Sequence, residues 1–130
     1  MAHLLVYLQR TPYGLHPASA VGVCLARDLA SRWGATVTAI AMGDGGDADT
    51  AITNRASACG ADIVHYVGEG GFRRSLERLR PRHVLLPWTS EAISIAEEAG
   101  LSAPQPRWVR GSQPDEELDE VTAIVAGGLP

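Results

Sequence analysis

The stretch PASAVGVCLARDLASRWGATVTAIAMG, Pro17 to Gly43, decides the fold. Val21, Cys24, Leu25, Leu29 and Trp33 recur at three- and four-residue spacing, which predicts an amphipathic helix with those residues on its inner stripe. Pro17 suits the first helical position, where an N–H would have no partner, and Gly34 suits the stop because it accepts a left-handed backbone. Directly after that stop, Ala35 to Gly43 is dense in β-formers. Such a run reads as a strand covered on both faces, as parallel strands are.

Outward from this unit the same grammar repeats. HLLVYLQ, His3 to Gln9, predicts a strand before the helix, with Pro12, Gly14 and Pro17 punctuating the loop between. About 26 residues after Gly34, GADIVHYVGEG from Gly60 repeats the sequence of helix end, Gly-Ala, β-run and Gly. Ala48 to Gly60 predicts a helix with Ile52, Ala56 and Cys59 on one face. Gly71 to Pro81 predicts another, with Phe72, Leu76 and Leu79 inward. HVLLPW, His83 to Trp88, is a fourth strand, and Ser90 to Gly100 a fourth helix with Ile93, Ala96 and Ala99 inward.

Strict alternation of strand and helix requires right-handed crossovers and a parallel sheet with helices on both faces. The fold class is therefore α/β: one Rossmann-like, three-layer α/β/α domain over residues 1–130. Residues 101–120, with three prolines and a cluster of acids, predict an extended connection, and VTAIVAGG from Val121 one more strand.

Composition narrows the functional classes. Hydrophobic content of 45% against 20% charge fits a compact globular domain. A net charge of −4 argues against a nucleic-acid surface, which needs a basic stripe to release counterions. The basic cluster Arg73, Arg74, Arg78, Arg80 and Arg82, with Arg55 as a candidate further member, reads as a solvated face, with a phosphate or acidic partner as the other reading. All eleven basic residues are Arg, so Schiff-base and P-loop lysine chemistry are excluded. Cys24 and Cys59 read as two buried thiols in a reducing compartment. No window approaches a membrane span and no signal segment opens the chain, so a soluble, cytoplasmic protein is expected.

In an open parallel sheet the ligand crevice lies beyond the carboxyl ends of the strands, where strand order reverses. Four loops answer that description: Arg10 to His16, Gly43 to Asp49, Gly68 to Gly71, and Trp88 to Glu91. The Gly-rich turn after Met42 offers N–H groups to an anion, yet Asp44, Asp47 and Asp49 oppose one, and Asp47 or Asp49 suits a helix cap. Thr89 and Ser90 stand where hydroxyls would meet a phosphate, or where one of them would simply cap the helix. His3, His16, His65 and His83 show no metal-ligand spacing, and no catalytic constellation is legible.

Several stretches together resemble the N-terminal domain of the electron transfer flavoprotein α subunit, of the adenine nucleotide alpha hydrolase-like superfamily. They are LLVYLQ (Leu4 to Gln9), LHPASAVGVCLARDLASRWGATVTAIAMG (Leu15 to Gly43), ACGADIVHYVGEG (Ala58 to Gly70) and RPRHVLLPWTS (Arg80 to Ser90), spread over residues 3 to 100. Glu91 and Ala92 stand where that family has Gly-Arg-Asp after Thr-Ser. The resemblance implies strand order 3-2-1-4 for the first four strands, with the C-terminal strand added. It further implies a non-catalytic scaffold or subunit-interaction module of an electron-transfer assembly, a β-subunit-like partner or a homo-oligomer, and no cofactor held by this chain alone, with FAD bound only in an assembly.

The second expectation is a small adenine-nucleotide module of universal-stress-like architecture, taking AMP or ATP without that family's Gly-x-x-Gly phosphate loop. Its crevice would use Gln9, Arg10, Thr11, Met42, Gly43, Gly45, Trp88, Thr89 and Ser90.

Overall fold

A computed structural model describes residues 3–81, 83–87, 89–101 and 122–125 of the chain. The elements run β1 (His3–Leu8), β2 (Arg10–Thr11), β3 (Gly14–Leu15), α1 (Pro17–Trp33), β4 (Thr36–Met42), α2 (Thr50–Cys59), β5 (Ile63–Val67), α3 (Gly71–Leu79), β6 (His83–Leu86), α4 (Ser90–Glu98) and β7 (Thr122–Val125). Five strands form one sheet in the order β5-β4-β1-β6-β7, and every neighbouring pair is parallel. Counting only the strands expected from the sequence, this is 3-2-1-4 with the C-terminal strand beside the fourth. The connection over residues 102–121 lies outside the described residues.

Period-two geometry divides β1 between the two faces. Leu4, Val6 and Leu8 pack with Val37, Ala39 and Ala41 of β4 under α1 and α2, together with Val23, Ala26, Leu29, Ile52 and Ala56. Leu5 and Tyr7 pack with Ile40, Val84 and Leu86 under α3 and α4, against Phe72, Ala92 and Ala96. The register Val6↔Ala39 and Val6↔Leu85 places β1 at the centre of the sheet. Each fully buried Leu or Ile there contributes about 1.5–3 kcal/mol relative to exposure.

The helix faces differ from the sequence reading in two places. On α1 the buried stripe is Ala18, Ser19, Gly22, Val23, Ala26, Leu29 and Ala30, while Val21 and Cys24 are exposed. Small residues let this helix approach the sheet closely, so the packed face is the Ala/Gly side and not the side of the larger Val21 and Cys24. On α4 the inward residues are Ala92, Ile95, Ala96 and Ala99, not Ile93. The expectation of two buried thiols fails with the first correction: Cys24 is exposed and Cys59 half-buried. Trp33 packs at the edge of the core, its ring 4.9 Å from that of the buried His83.

Candidate functional site

The order β4-β1-β6 makes the gap between β1 and β6 the topological switch point: α1 and α2 cover one face, and α3 and α4 the other. At the carboxyl ends of these strands the chain leaves β1 through Gln9, which ties three elements together. Its N–H donates to Ser19 Oγ (2.9 Å), and that hydroxyl donates to the Tyr7 carbonyl (3.1 Å), pinning the first turn of α1 to the end of β1. Its side-chain Oε1 accepts a short hydrogen bond from the Thr89 hydroxyl. Thr89 in turn accepts from the Ala92 N–H (3.2 Å) and is the N-cap of α4. The hydroxyl singled out in the sequence therefore closes a helix end and bridges the switch point at once, while Ser90 beside it is exposed.

The other half of the crevice is organised by Arg10. Its Nη1 donates to the Met42 carbonyl (3.0 Å) and forms an ion pair with Asp49, whose carboxylate is buried. The same carboxylate accepts from the Gly45 N–H (2.9 Å). Gly43 has no room for a side chain: a Cβ there would lie 2.6 Å from Arg10 Nη1 and 2.7 Å from Asp49 Oδ2. The Tyr66 hydroxyl donates to the Asp49 carbonyl (3.0 Å) and meets Thr53 Oγ1 at 2.7 Å. Asp49 does hold the N-cap position of α2, as expected, but makes no capping bond with its side chain. Its carboxylate is turned instead to Arg10 and the Gly-rich loop, because the guanidinium offers a charged partner that a helix end lacks.

The remaining crevice residues are placed as follows. Thr11 is committed to its own turn, its hydroxyl accepting from the Tyr13 N–H (3.1 Å) and donating to the Gly14 carbonyl (3.1 Å). That turn closes the β2–β3 hairpin, with Tyr13 almost wholly exposed at its tip. The Met42 side chain lines a cleft of about 310 Å³ shared with Phe72, Arg73, Ile95 and Glu98. Trp88 lies outside the described residues. Structure thus joins Gln9 to Thr89, and Arg10 to Met42 and Gly45 through Asp49.

Several residues that shape the site were not legible as such. His16 caps α1, its Nδ1 accepting from the Ala18 N–H (3.0 Å). The buried Tyr7 hydroxyl donates to Glu91 Oε2 (2.9 Å), and burial first, with the Glu91 carboxylate adding to it, holds the phenol far above its ordinary pKa. Tyr7 is thus a fixed donor that orients Glu91 at the start of α4. A hydroxyl facing a distant carboxylate leaves no sequence signal beyond a Tyr in an apolar strand. Among the described residues no group of His, Cys, Asp and Glu is placed to hold a metal ion. No described helix is long and apolar enough to cross a membrane.

Neither a family model nor a curated protein matches the sequence. Among solved structures, the chain is similar to the universal stress protein from Archaeoglobus fulgidus, with 12% sequence identity and a TM-score of 0.58. The likeness covers 95% of this chain and 93% of that one. At this identity it is a likeness of fold, and the architecture it supports is the universal-stress-like one: a Rossmann-like parallel α/β domain.

Proposed function

We propose that the chain is a small adenine-nucleotide-binding module whose ligand lies across the carboxyl ends of β1, β4 and β6. The observation that carries this reading is the bridged switch point. Gln9 and Thr89 join β1 to the first turn of α4, and Arg10 is held beside them by Asp49 with its side chain partly exposed. Helix starts and a fixed guanidinium at one sheet edge favour an anionic group, and the partly apolar cleft beside Met42 offers a place for a flat base. The likeness to a universal stress protein supports the same architecture for the module. Among the described residues no constellation of nucleophile and base accompanies it, so the reading is binding, not turnover.

The alternative, an interaction domain of an electron-transfer-flavoprotein-like assembly with a β-subunit-like partner, shares the fold and needs no nucleotide. Calorimetric titration with AMP, ATP and FAD separates the two. Saturable binding of an adenine nucleotide, weakened in Thr89→Ala and Arg10→Gln, is expected. An absence of heat and of thermal stabilisation with all three ligands would refute the module.

A further inference from the structure

α1 and α2 carry one cysteine each, and the crevice uses neither thiol. The two helices lie side by side on one face of the sheet, with Val23 and Ala26 of α1 and Ala56 of α2 buried in a common cluster. Contact is close at the end of α2. Arg27, one turn after Cys24, lies so near Gly60 that a Cβ there would stand 2.6 Å from the Arg27 Cγ, and its Nη1 donates to the Gly60 carbonyl (3.3 Å). The same guanidinium pairs with Asp62, whose carboxylate accepts from the Val37 N–H of β4 (2.9 Å). The part of α1 around Cys24 is thereby fastened to the part of α2 that ends in Cys59.

The two thiols meet across this junction. Residues three apart share a helix face, so the contact that brings Arg27 to Gly60 brings Cys24 to Cys59, and the two side chains are hydrogen-bonded to each other. Their surroundings set an order of reaction. Cys24 is exposed, whereas Cys59 is half-buried and packed against the core cluster. A reagent from solution therefore reaches Cys24 first, and Cys59 is held in place behind it. Burial and the Cys59 thiol oppose ionisation of Cys24, while Arg55, one turn before Cys59, favours it. An accessible thiol with a second thiol beside it to resolve the adduct is the pairing that thiol–disulfide exchange uses.

We propose that Cys24 and Cys59 form a reversible disulfide by exchange with the disulfide of a small thiol such as glutathione. The Cys24 thiolate attacks one sulfur of the small disulfide, forming a mixed disulfide and expelling one small thiolate, which takes up a proton. The Cys59 thiolate then attacks the Cys24 sulfur and expels the second. Two protein thiols are oxidised, and one small disulfide is reduced to two thiols. Excess small thiol reverses both steps through the exposed Cys24. This chemistry is independent of the nucleotide crevice.

The test equilibrates the reduced full chain, freed of other reductants, with reduced and oxidised glutathione over a range of ratios. Thiol titration, intact mass and peptide mapping read the products. Expected is the loss of both thiols and of two hydrogens in a monomeric chain whose Cys24 and Cys59 peptides are linked, reversed by dithiothreitol. Cys59→Ser should stop at a glutathione adduct on Cys24, and Cys24→Ser should react at least about tenfold more slowly. Circular dichroism checks that both variants fold, and mapping of the parent chain decides the pairing without them.

A folded chain that keeps both thiols, or stops with glutathione on Cys24, at every ratio overturns the proposal. A disulfide found only between chains does so too, as does a linkage that forms in urea and not in the folded protein. Equal adduct formation in the two Ser variants overturns the order of attack.

Discussion

Replacing Thr89 with Ala tests whether one hydroxyl both caps α4 and bridges the switch point. The substitution removes the acceptor for the Ala92 N–H and the donor to Gln9 Oε1, at a residue only 7% exposed. Loss of a Thr cap costs about 1 kcal/mol. Leaving a half-buried amide oxygen without its donor costs about 1 kcal/mol more. The variant should therefore be less stable by about 2 kcal/mol, which for 130 residues is a fall in Tm of about 7 °C. Urea unfolding followed by far-UV circular dichroism measures the difference, with the m-value unchanged if the native state is intact. Thr89→Ser, which keeps the hydroxyl, should recover most of the loss. An Ala variant as stable as the parent, or a Ser variant as damaged as Ala, would refute the double role.

Three further outcomes follow from the packing and the charges. Gly71→Ala forces a methyl into Val67 and should destabilise by about 1–3 kcal/mol, and Val67→Ala in the same chain should relieve part of it; additive losses in a double-mutant cycle would show that the two do not meet. Asp62 accepts from the Val37 N–H and pairs with Arg27, and these hold its carboxyl below the ordinary range. The unfolded state then takes up the proton first. Asp62 accordingly supports the fold above the ordinary carboxylate pKa, and its contribution fades as pH falls through the lower folded value. Asp62→Asn should flatten the acid limb of a stability–pH curve, and an unchanged limb would contradict this.

Partial desolvation and the neighbouring Cys59 thiol raise the Cys24 pKa against the pull of Arg55. Iodoacetamide should thus reach its half-maximal rate with Cys24 at a higher pH in the folded chain than in urea; a lower midpoint would refute the assignment.

The architecture was legible because its signals are backbone signals. Pro17 and Gly34 bracket α1 as expected, Gly60 closes α2, and the near-continuous apolar runs of β1 and β4 occupy the sheet interior. Side-chain direction was less legible. On α1, Ala and Gly carry little hydropathy weight, so periodicity favoured Val21 and Cys24 although close approach to the sheet selects the small side. The β2–β3 hairpin has two residues per strand, too few for an alternating pattern to register. At the crevice, a cap at Thr89 or Ser90 was legible from their place before an apolar helix, and the structure gives it to Thr89. Its bond to Gln9 spans 80 positions, and the Arg10–Asp49 pair joins β2 to the start of α2. Neither partnership has a local signature, since both arise only when β1, β4 and β6 are laid side by side.

The most direct test of the proposed binding module is a thermal-shift titration of the purified chain with AMP and ATP, with FAD as the comparison. A native-state ligand at a hundredfold excess over its Kd adds about 2.7 kcal/mol of stability by mass action. For a chain of 130 residues that is a rise in Tm of about 10 °C. A saturable rise of that size is expected with an adenine nucleotide, reduced in Arg10→Gln. A Tm that stays put with AMP and ATP up to millimolar concentration would contradict it.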